Sequence, residues 1–268
     1  MNKTVLITGS TDGIGKLAAI KLAKEGHQVY IHGRHQEKLK TVIDDIKKAS
    51  NNDLVNGFIA DFSDLKTVKI LADTIKNELP KLDVLINNAG VYKSRINTTP
   101  EGLDIRFVVN YLAPFVFTNA LIPLLKKGDH PRVINLSSAA QSSFSLDELS
   151  GKQDVLPNEA YAKSKLALTM WSFDLAKNQK NIQVIAVNPG SLLNTNMVKE
   201  AFGHHWSSAD KGASILYELA VSEAFNGVSG QYFDNDRGGF GNAHANAYNE
   251  VKINELISAT HQICDSSY

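Results

Sequence analysis

Thr4-Val5-Leu6-Ile7-Thr8-Gly9-Ser10-Thr11-Asp12-Gly13-Ile14-Gly15 decides the fold. Residues 4–8 are short, apolar and β-branched, and read as a strand buried on both faces. Glycines follow at once. A helical period then begins, with Ile14, Leu17, Ala18 and Leu22 on one side. A strand, a glycine turn and a helix start make an anion site. Free backbone N–H groups and the positive helix end face the ligand, and glycine lets a pyrophosphate come close. A G-x-G-x-x-A register can be laid on Gly13, Gly15 and Ala18, but it starts too far past the strand. The pattern T-G-x-x-x-G-x-G, with Gly9 making the turn, fits better. Gly9, Ser10, Thr11, Gly13, Ile14 and Gly15 are therefore the candidate phosphate cradle.

Outward from this stretch, short apolar runs alternate with amphipathic ones. Further strands are predicted at 28–32, 55–60, 84–87, 132–136, 183–187 and 231–233. Helices are predicted at 37–48, 65–77, 102–125, 160–177, 209–221 and 247–263. This alternation predicts an α/β fold, a doubly wound parallel sheet of about seven strands with helices on both faces. The 268 residues read as a single domain, with a long connection at 190–208 suited to a substrate loop and a C-terminal segment from 234.

Composition narrows the function. The 28 basic and 28 acidic residues balance, so the positive excess of a phosphate-neutralising nucleic-acid binder is missing. The lone Cys264 forms no internal disulfide and suits a reducing cytosol, and the apolar run after Lys3 is too short for a signal peptide. A cytoplasmic location is expected. Residues 107–125 carry no charge and approach membrane length, but Asn110, Pro114, Thr118, Asn119 and Pro123 interrupt them. A kinked helix buried in protein is expected, not a membrane span.

The second strand ends Val29-Tyr30-Ile31-His32-Gly33-Arg34, with no carboxylate to hold ribose hydroxyls. The glycine leaves room, and Arg34 offers a guanidinium to a 2′-phosphate. NADP(H) is the expected cofactor, with NAD(H) as the alternative if Arg34 points away. Asp61, at the end of the third strand, is an acceptor for the adenine amino group, with Phe62 beside it.

Tyr161 and Lys165 lie four residues apart on a predicted helix, hence on one face. A cation beside a phenol favours its ionised form and brings an acid of ordinary pKa near 10 toward working pH. Ser137-Ser138 ends the fifth strand, where active sites of parallel sheets gather. Asn87-Asn88-Ala89-Gly90 ends the fourth strand and Asn188-Pro189-Gly190 the sixth, and Asn110 lies early in the uncharged helix.

Together these motifs resemble the classical short-chain dehydrogenase/reductase family, from Thr8 to about Tyr232. The resemblance implies a catalytic tetrad of Asn110, Ser138, Tyr161 and Lys165, with Ser138 preferred to Ser137 as the second of its pair. It implies that Lys165 also binds the nicotinamide ribose, and that Asn110 holds a water in a proton relay. Tyr161, Asn88, Ala89, Gly90, Pro189 and Gly190 are implied cofactor contacts. The family's P-G-x-x-x-T pattern falls on Asn194, with Thr195 one later, so either residue is open as the carboxamide contact. The insert through Leu146-Asp147-Glu148-Leu149 and the run after Tyr161 are similar to the retinol-dehydrogenase-like branch. The implied activity is hydride transfer between NADP(H) and a carbonyl or alcohol, with Tyr161 as general acid and base. The rivals are an NAD-dependent alcohol dehydrogenase and a non-catalytic dinucleotide sensor. An apolar small-molecule substrate is implied, with Tyr92, Phe144, Leu192, Met197, Phe202 and Trp206 as candidate pocket residues. The resemblance also implies a homodimer or homotetramer joined through the helices at 102–125 and 160–177. No metal is expected. The segment 234–247 reads either as a gate over the pocket or as a surface loop.

Overall fold

The computed structural model describes residues 2–266, apart from the side chains of Ala201, Phe202 and Ser266. Strands β1 (Thr4–Ile7), β2 (Gln28–Gly33), β3 (Val55–Ile59), β4 (Val84–Asn87), β5 (Arg132–Leu136), β6 (Gln183–Asn188), β7 (Gln231–Asp234) and β8 (Gly239–Gly241) form one sheet. Its order is β3-β2-β1-β4-β5-β6-β7-β8, parallel except for β8. The order in which strands are added across the sheet reverses between β1 and β4, and ligands of such sheets bind at the carboxyl ends beside that point.

Side chains of each strand alternate between two buried layers. Leu6, Leu85, Val133 and Val184 face α3 (Leu65–Glu78), α5 (Ala113–Leu125) and α7 (Pro157–Asn178). Val5, Ile7, Val29, Ile31, Ile86 and Ile134 face α1 (Gly13–Lys24), α2 (Gln36–Ser50) and α9 (Ala209–Val221). Burial on both faces is why the inner strands β1, β2, β4, β5 and β6 read as largely apolar runs. Asp12 caps α1 by accepting from the Gly13 N–H at 2.7 Å, and Ala18, Ala19 and Ala23 let it pack closely.

The helix predicted at 102–125 begins later and is not uniform. Asp104 caps α4 (Ile105–Phe107), Val108–Leu112 forms a π-helical turn, and α5 continues from Ala113. As expected, it is a core helix. Its most apolar stretch is long and greasy enough to cross a membrane by composition, yet 78% of that stretch is buried inside the fold. The connection at 190–208 is ordered by α8 (Asn196–Phe202) and by a bridge between Leu193 and Ser207. The insert holds α6 (Leu146–Leu149), closed by a Ser145–Glu148 capping box. β8 is an addition to the seven expected strands.

α10 (Glu250–Ser266), this chain's own C-terminal helix, covers part of the two helices to which the subunit interface was assigned. Tyr111 and Thr260 share a 2.7 Å hydrogen bond, the Phe115 and His261 rings lie 5.3 Å apart, and Leu256 is fully buried.

Candidate active site

At the carboxyl end of β5 the two serines part. The Ser137 hydroxyl is buried against α7, 2.6 Å from that of Thr169. Ser138 faces the other way, and its hydroxyl is hydrogen-bonded to that of Tyr161. Loss of hydration raises the Tyr161 pKa, the Ser138 bond opposes that rise, and nearby Tyr92 adds to it. The Ser138 carbonyl is held by the Tyr232 hydroxyl at 3.0 Å and by the Gln141 amide at 2.9 Å. Gln141 in turn accepts from the His244 N–H at 3.2 Å. The segment 234–247 is therefore tied to the loop that carries Ser138.

Tyr161 and Lys165 share one face of α7, as their spacing predicts, with the Lys165 ammonium 5.6 Å from the Tyr161 ring centre. Lys165 is buried and donates to the Leu136 carbonyl at 2.6 Å. Desolvation brings its pKa down to about 8, so the ammonium persists at neutral pH. The expected lowering of the phenol does not appear, since burial governs the direction for Tyr161 and it is upward.

The Asn110 side chain is bonded to the protein itself. It is 1% exposed within the π turn. Its Oδ1 accepts from the Val91 N–H at 2.7 Å, and its Nδ2 donates to the Val91 carbonyl and the Ser164 hydroxyl, each at 3.0 Å. The amide is spent on fixing the backbone after Gly90. One turn earlier, buried Arg106 donates to the Tyr92 carbonyl at 3.1 Å, to Asp104 at 2.8 Å and to Asn97 at 2.7 Å. Two side chains of one helix thus hold Val91-Tyr92, and the Tyr92 ring sits 4.9 Å from that of Tyr161. A side chain on Gly90 would come within 3.3 Å of Asn110 Oδ1, 3.6 Å of Lys165 Nζ and 3.8 Å of Met197 Cε. Asn110, Lys165 and Met197 therefore converge on the Gly90 backbone.

The glycine turn lies at the ends of β1 and β4. Gly9 has φ +60°, and a Cβ there would strike the Ala89 Cα at 2.6 Å. The Thr8 hydroxyl accepts from the Asn88 and Ala89 N–H groups, each at 3.0 Å. The Asn88 amide donates to the Thr8 and Gly9 carbonyls, each at 2.8 Å. Asn88 and Ala89 thus brace the turn from behind. A Cβ on Gly15 would lie 2.5 Å from the Asn88 amide. The first turn of α1 leaves backbone N–H groups free of helical partners, as a phosphate cradle needs. Asp12 at its mouth is paired with Lys38 at 3.1 Å and accepts from Asn196 at 2.7 Å.

Three cofactor expectations change. The Ser10 side chain is fully buried and donates to the Ile7 carbonyl at 2.7 Å, so only its backbone faces the turn. Phe62 is buried against the rings of His32 and Phe117, at 4.4 and 5.4 Å, and its side chain belongs to the core. The space beside Gly33 is taken by Thr11, whose Cγ2 lies 2.4 Å from where a Cβ would stand. Gly33 accommodates the turn, not a phosphate. Arg34 is exposed at the carboxyl end of β2. Asp61 is exposed and accepts from the Ser63 N–H and hydroxyl at 2.9 and 2.8 Å, while Asp64 caps α3.

Between Asn194 and Thr195, the structure sets Thr195 against Gly13, its Cγ2 3.6 Å from a Cβ position there. Thr195 also caps α8, and Ile14 packs beside Gly212 of α9. At the end of β6 the Pro189 carbonyl accepts from Asn235 at 2.9 Å, and the Gly190 N–H donates to Asn188 at 3.2 Å. Asn188 also donates to Asp234 and Asp236, each at 2.9 Å, and Asp236 takes two bonds from Ser191. Burial pushes the Asp236 carboxyl up, but the Ser191 and Asn188 bonds outweigh it and its pKa is lowered. Of the candidate pocket residues, Tyr92 and Met197 lie at the site. Phe144 packs on Phe107 at 5.8 Å, Leu192 takes a left-handed turn at φ +48°, and Trp206 is 78% exposed. The Phe202 side chain lies outside the described residues. Among the described residues no group of acids, histidines or cysteines could hold a metal.

Sequence reasoning missed His32, Arg106 and the Asp234–Asp236 anchor. The one signal for His32 was an imidazole within an otherwise apolar strand.

A glycine turn at the switch point of a parallel sheet, facing a serine–tyrosine pair over a buried lysine, defines an oxidoreductase that works with a nicotinamide dinucleotide. The chain belongs to the short chain dehydrogenase family, whose model matches residues 3–205, and it acts on CH–OH groups. It is 32% identical to human polyprenol dehydrogenase over 260 residues, covering 88% of this chain and 78% of that protein. It is 33% identical to human retinol dehydrogenase 13 over 251 residues, covering 87% and 76%. A short chain dehydrogenase from Escherichia coli CFT073, complexed with NADPH, superposes with a TM-score of 0.72 at 28% identity, covering 88% of this chain and 97% of that one.

Proposed function

We propose that this chain is an NADP(H)-dependent enzyme interconverting an apolar carbonyl compound and its alcohol, with Tyr161 as general acid and base. One observation carries the reading: the Tyr161 hydroxyl is hydrogen-bonded to Ser138 while the Lys165 ammonium lies 5.6 Å from the same ring. The dinucleotide, when bound, supplies or accepts the hydride. The chain's residues do the rest. In reduction Tyr161 gives its proton to the substrate oxygen, and in oxidation it takes the alcohol's proton. Ser138 donates a hydrogen bond to that oxygen as charge develops on it. Lys165 supplies a fixed positive charge below the phenol, worth most in the water-poor interior. Asn110 acts as a clamp on Val91, fixing the floor of the site.

The residues fit a phosphorylated dinucleotide. The first turn of α1 would hold the pyrophosphate, and the exposed Arg34 guanidinium a 2′-phosphate. Tyr92 and Met197 beside the reacting groups favour an apolar substrate. Fluorescence titration with NADPH and NADH tests the cofactor. Arg34→Ala is expected to weaken NADPH by about 10- to 100-fold, the worth of a charge-assisted hydrogen bond, and to leave NADH nearly unchanged. Equal loss for both would remove the 2′-phosphate argument. In a screen of aldehydes and ketones, Tyr161→Phe is expected to lower turnover by about 100- to 10,000-fold while binding NADPH normally.

A further inference from the structure

His32 is a buried titratable side chain between the glycine turn and the end of β3, and no step above uses it. It is 3% exposed, within an apolar strand. Its Nδ1 lies 3.1 Å from the Gly9 nitrogen, and its Nε2 lies 3.0 Å from the Ala60 carbonyl. An amide nitrogen only donates, so Nδ1 must be bare. A carbonyl only accepts, so Nε2 must carry the proton. The partners fix the tautomer.

We propose that His32, locked as the neutral Nε2–H tautomer, is a positioning residue that sets the glycine turn for the dinucleotide and couples it to the adenine end of the site. This rests on the dinucleotide reading above. Gly9 makes the turn, and its crowding against Ala89 leaves it no slack. Ala60 directly precedes Asp61, the adenine candidate. The His32 backbone reinforces the link, because Ser10 N–H donates to its carbonyl at 2.9 Å and its own N–H donates to the Ser10 hydroxyl at 3.0 Å. One residue thus touches the turn at two successive positions and the end of β3 at a third.

The surroundings oppose a second proton. Phe62 lies against the ring, with Phe117 of α5 behind it. Asp61 is the charged side chain that acts on the ring, and it and the Ala60 bond favour protonation. Burial outweighs both, and the imidazole stays neutral down to about 4. An imidazolium would set two N–H donors face to face at Gly9.

The test measures NADPH and NADH dissociation constants for wild type, His32→Phe and His32→Asn, with folding checked by circular dichroism. Imidazole nitrogen NMR of wild type reads the tautomer. Phenylalanine keeps the ring and removes both bonds. It is expected to weaken NADPH and NADH alike by about tenfold, unlike Arg34→Ala, which separates them. Asparagine carries a carbonyl oxygen that can accept from Gly9, and is expected to recover most of the loss. A folded His32→Phe that binds both dinucleotides like wild type overturns the proposal. So does a spectrum showing Nδ1 protonated at neutral pH, which decides the matter even if His32→Phe does not fold. Wild type that binds neither dinucleotide, with the tautomer as assigned, defeats the underlying reading and with it this role.

Discussion

Single side chains in this protein are defined by which of their atoms are already taken. Asn110 has none to spare, Ser137 has turned into the core, and Ser138 has its hydroxyl on Tyr161. His32 makes a prediction about stability. The folded protein keeps its ring neutral to about 4, whereas the unfolded chain takes a proton near the ordinary value of 6.5. Between these values the unfolded state binds more protons, so this contribution to stability is complete above 6.5 and declines as pH falls. The loss through that window is on the order of 3 kcal/mol. Denaturant titrations across the window should show it in wild type and not in His32→Asn. The sequence makes the tyrosine, lysine and second serine legible, because spacing and strand ends dictate their places. It does not reveal that Ser10, Phe62 and Asn110 spend their side chains on the protein. Such partners lie 3, 55 and 54 positions away along the chain in the Ser10–Ile7, Phe62–Phe117 and Asn110–Ser164 contacts.

At the scale of elements, the helix that carries Asn110 does more than pack. Its π turn and the preceding turn of α4 present Asn110 and Arg106 to the same loop. Arg106→Met would strand the Tyr92 carbonyl, Asp104 and Asn97. It is expected to cost about 3 kcal/mol, as breaking a buried ion pair does. Amide hydrogen exchange should rise first in residues 91–104 while the sheet stays protected, and unchanged exchange there would show that Arg106 does not hold the loop. The π turn was invisible in sequence for a physical reason. Residues 105–118 are buried almost all round, so no polar face marks the register in which the helix slips. α8 and β8 were missed differently. α8 is a short helix anchored by the Thr195 cap, and β8 is Gly239-Phe240-Gly241, whose pairing with β7 leaves no pattern of its own. The five inner strands β2, β1, β4, β5 and β6 were legible because both of their faces are buried.

At the scale of the molecule, two apolar layers enclose the sheet, and α10 closes one of them. Leu256 is fully buried there, so Leu256→Ala should cost about 2–5 kcal/mol in chemical denaturation. A negligible loss would mean that α10 is an accessory and not part of the core.

The position of α10 also sets an order of assembly. During synthesis the sheet is complete in sequence once residue 241 has emerged, and residues 250–266 come afterwards. Until they dock, Tyr111, Phe115 and Trp171 lack the lid that α10 puts over that side. The nascent chain therefore passes through a stage at which its secondary structure can be formed while one flank is still adhesive. That interval is when a chaperone, or another unfinished copy, has the most to hold.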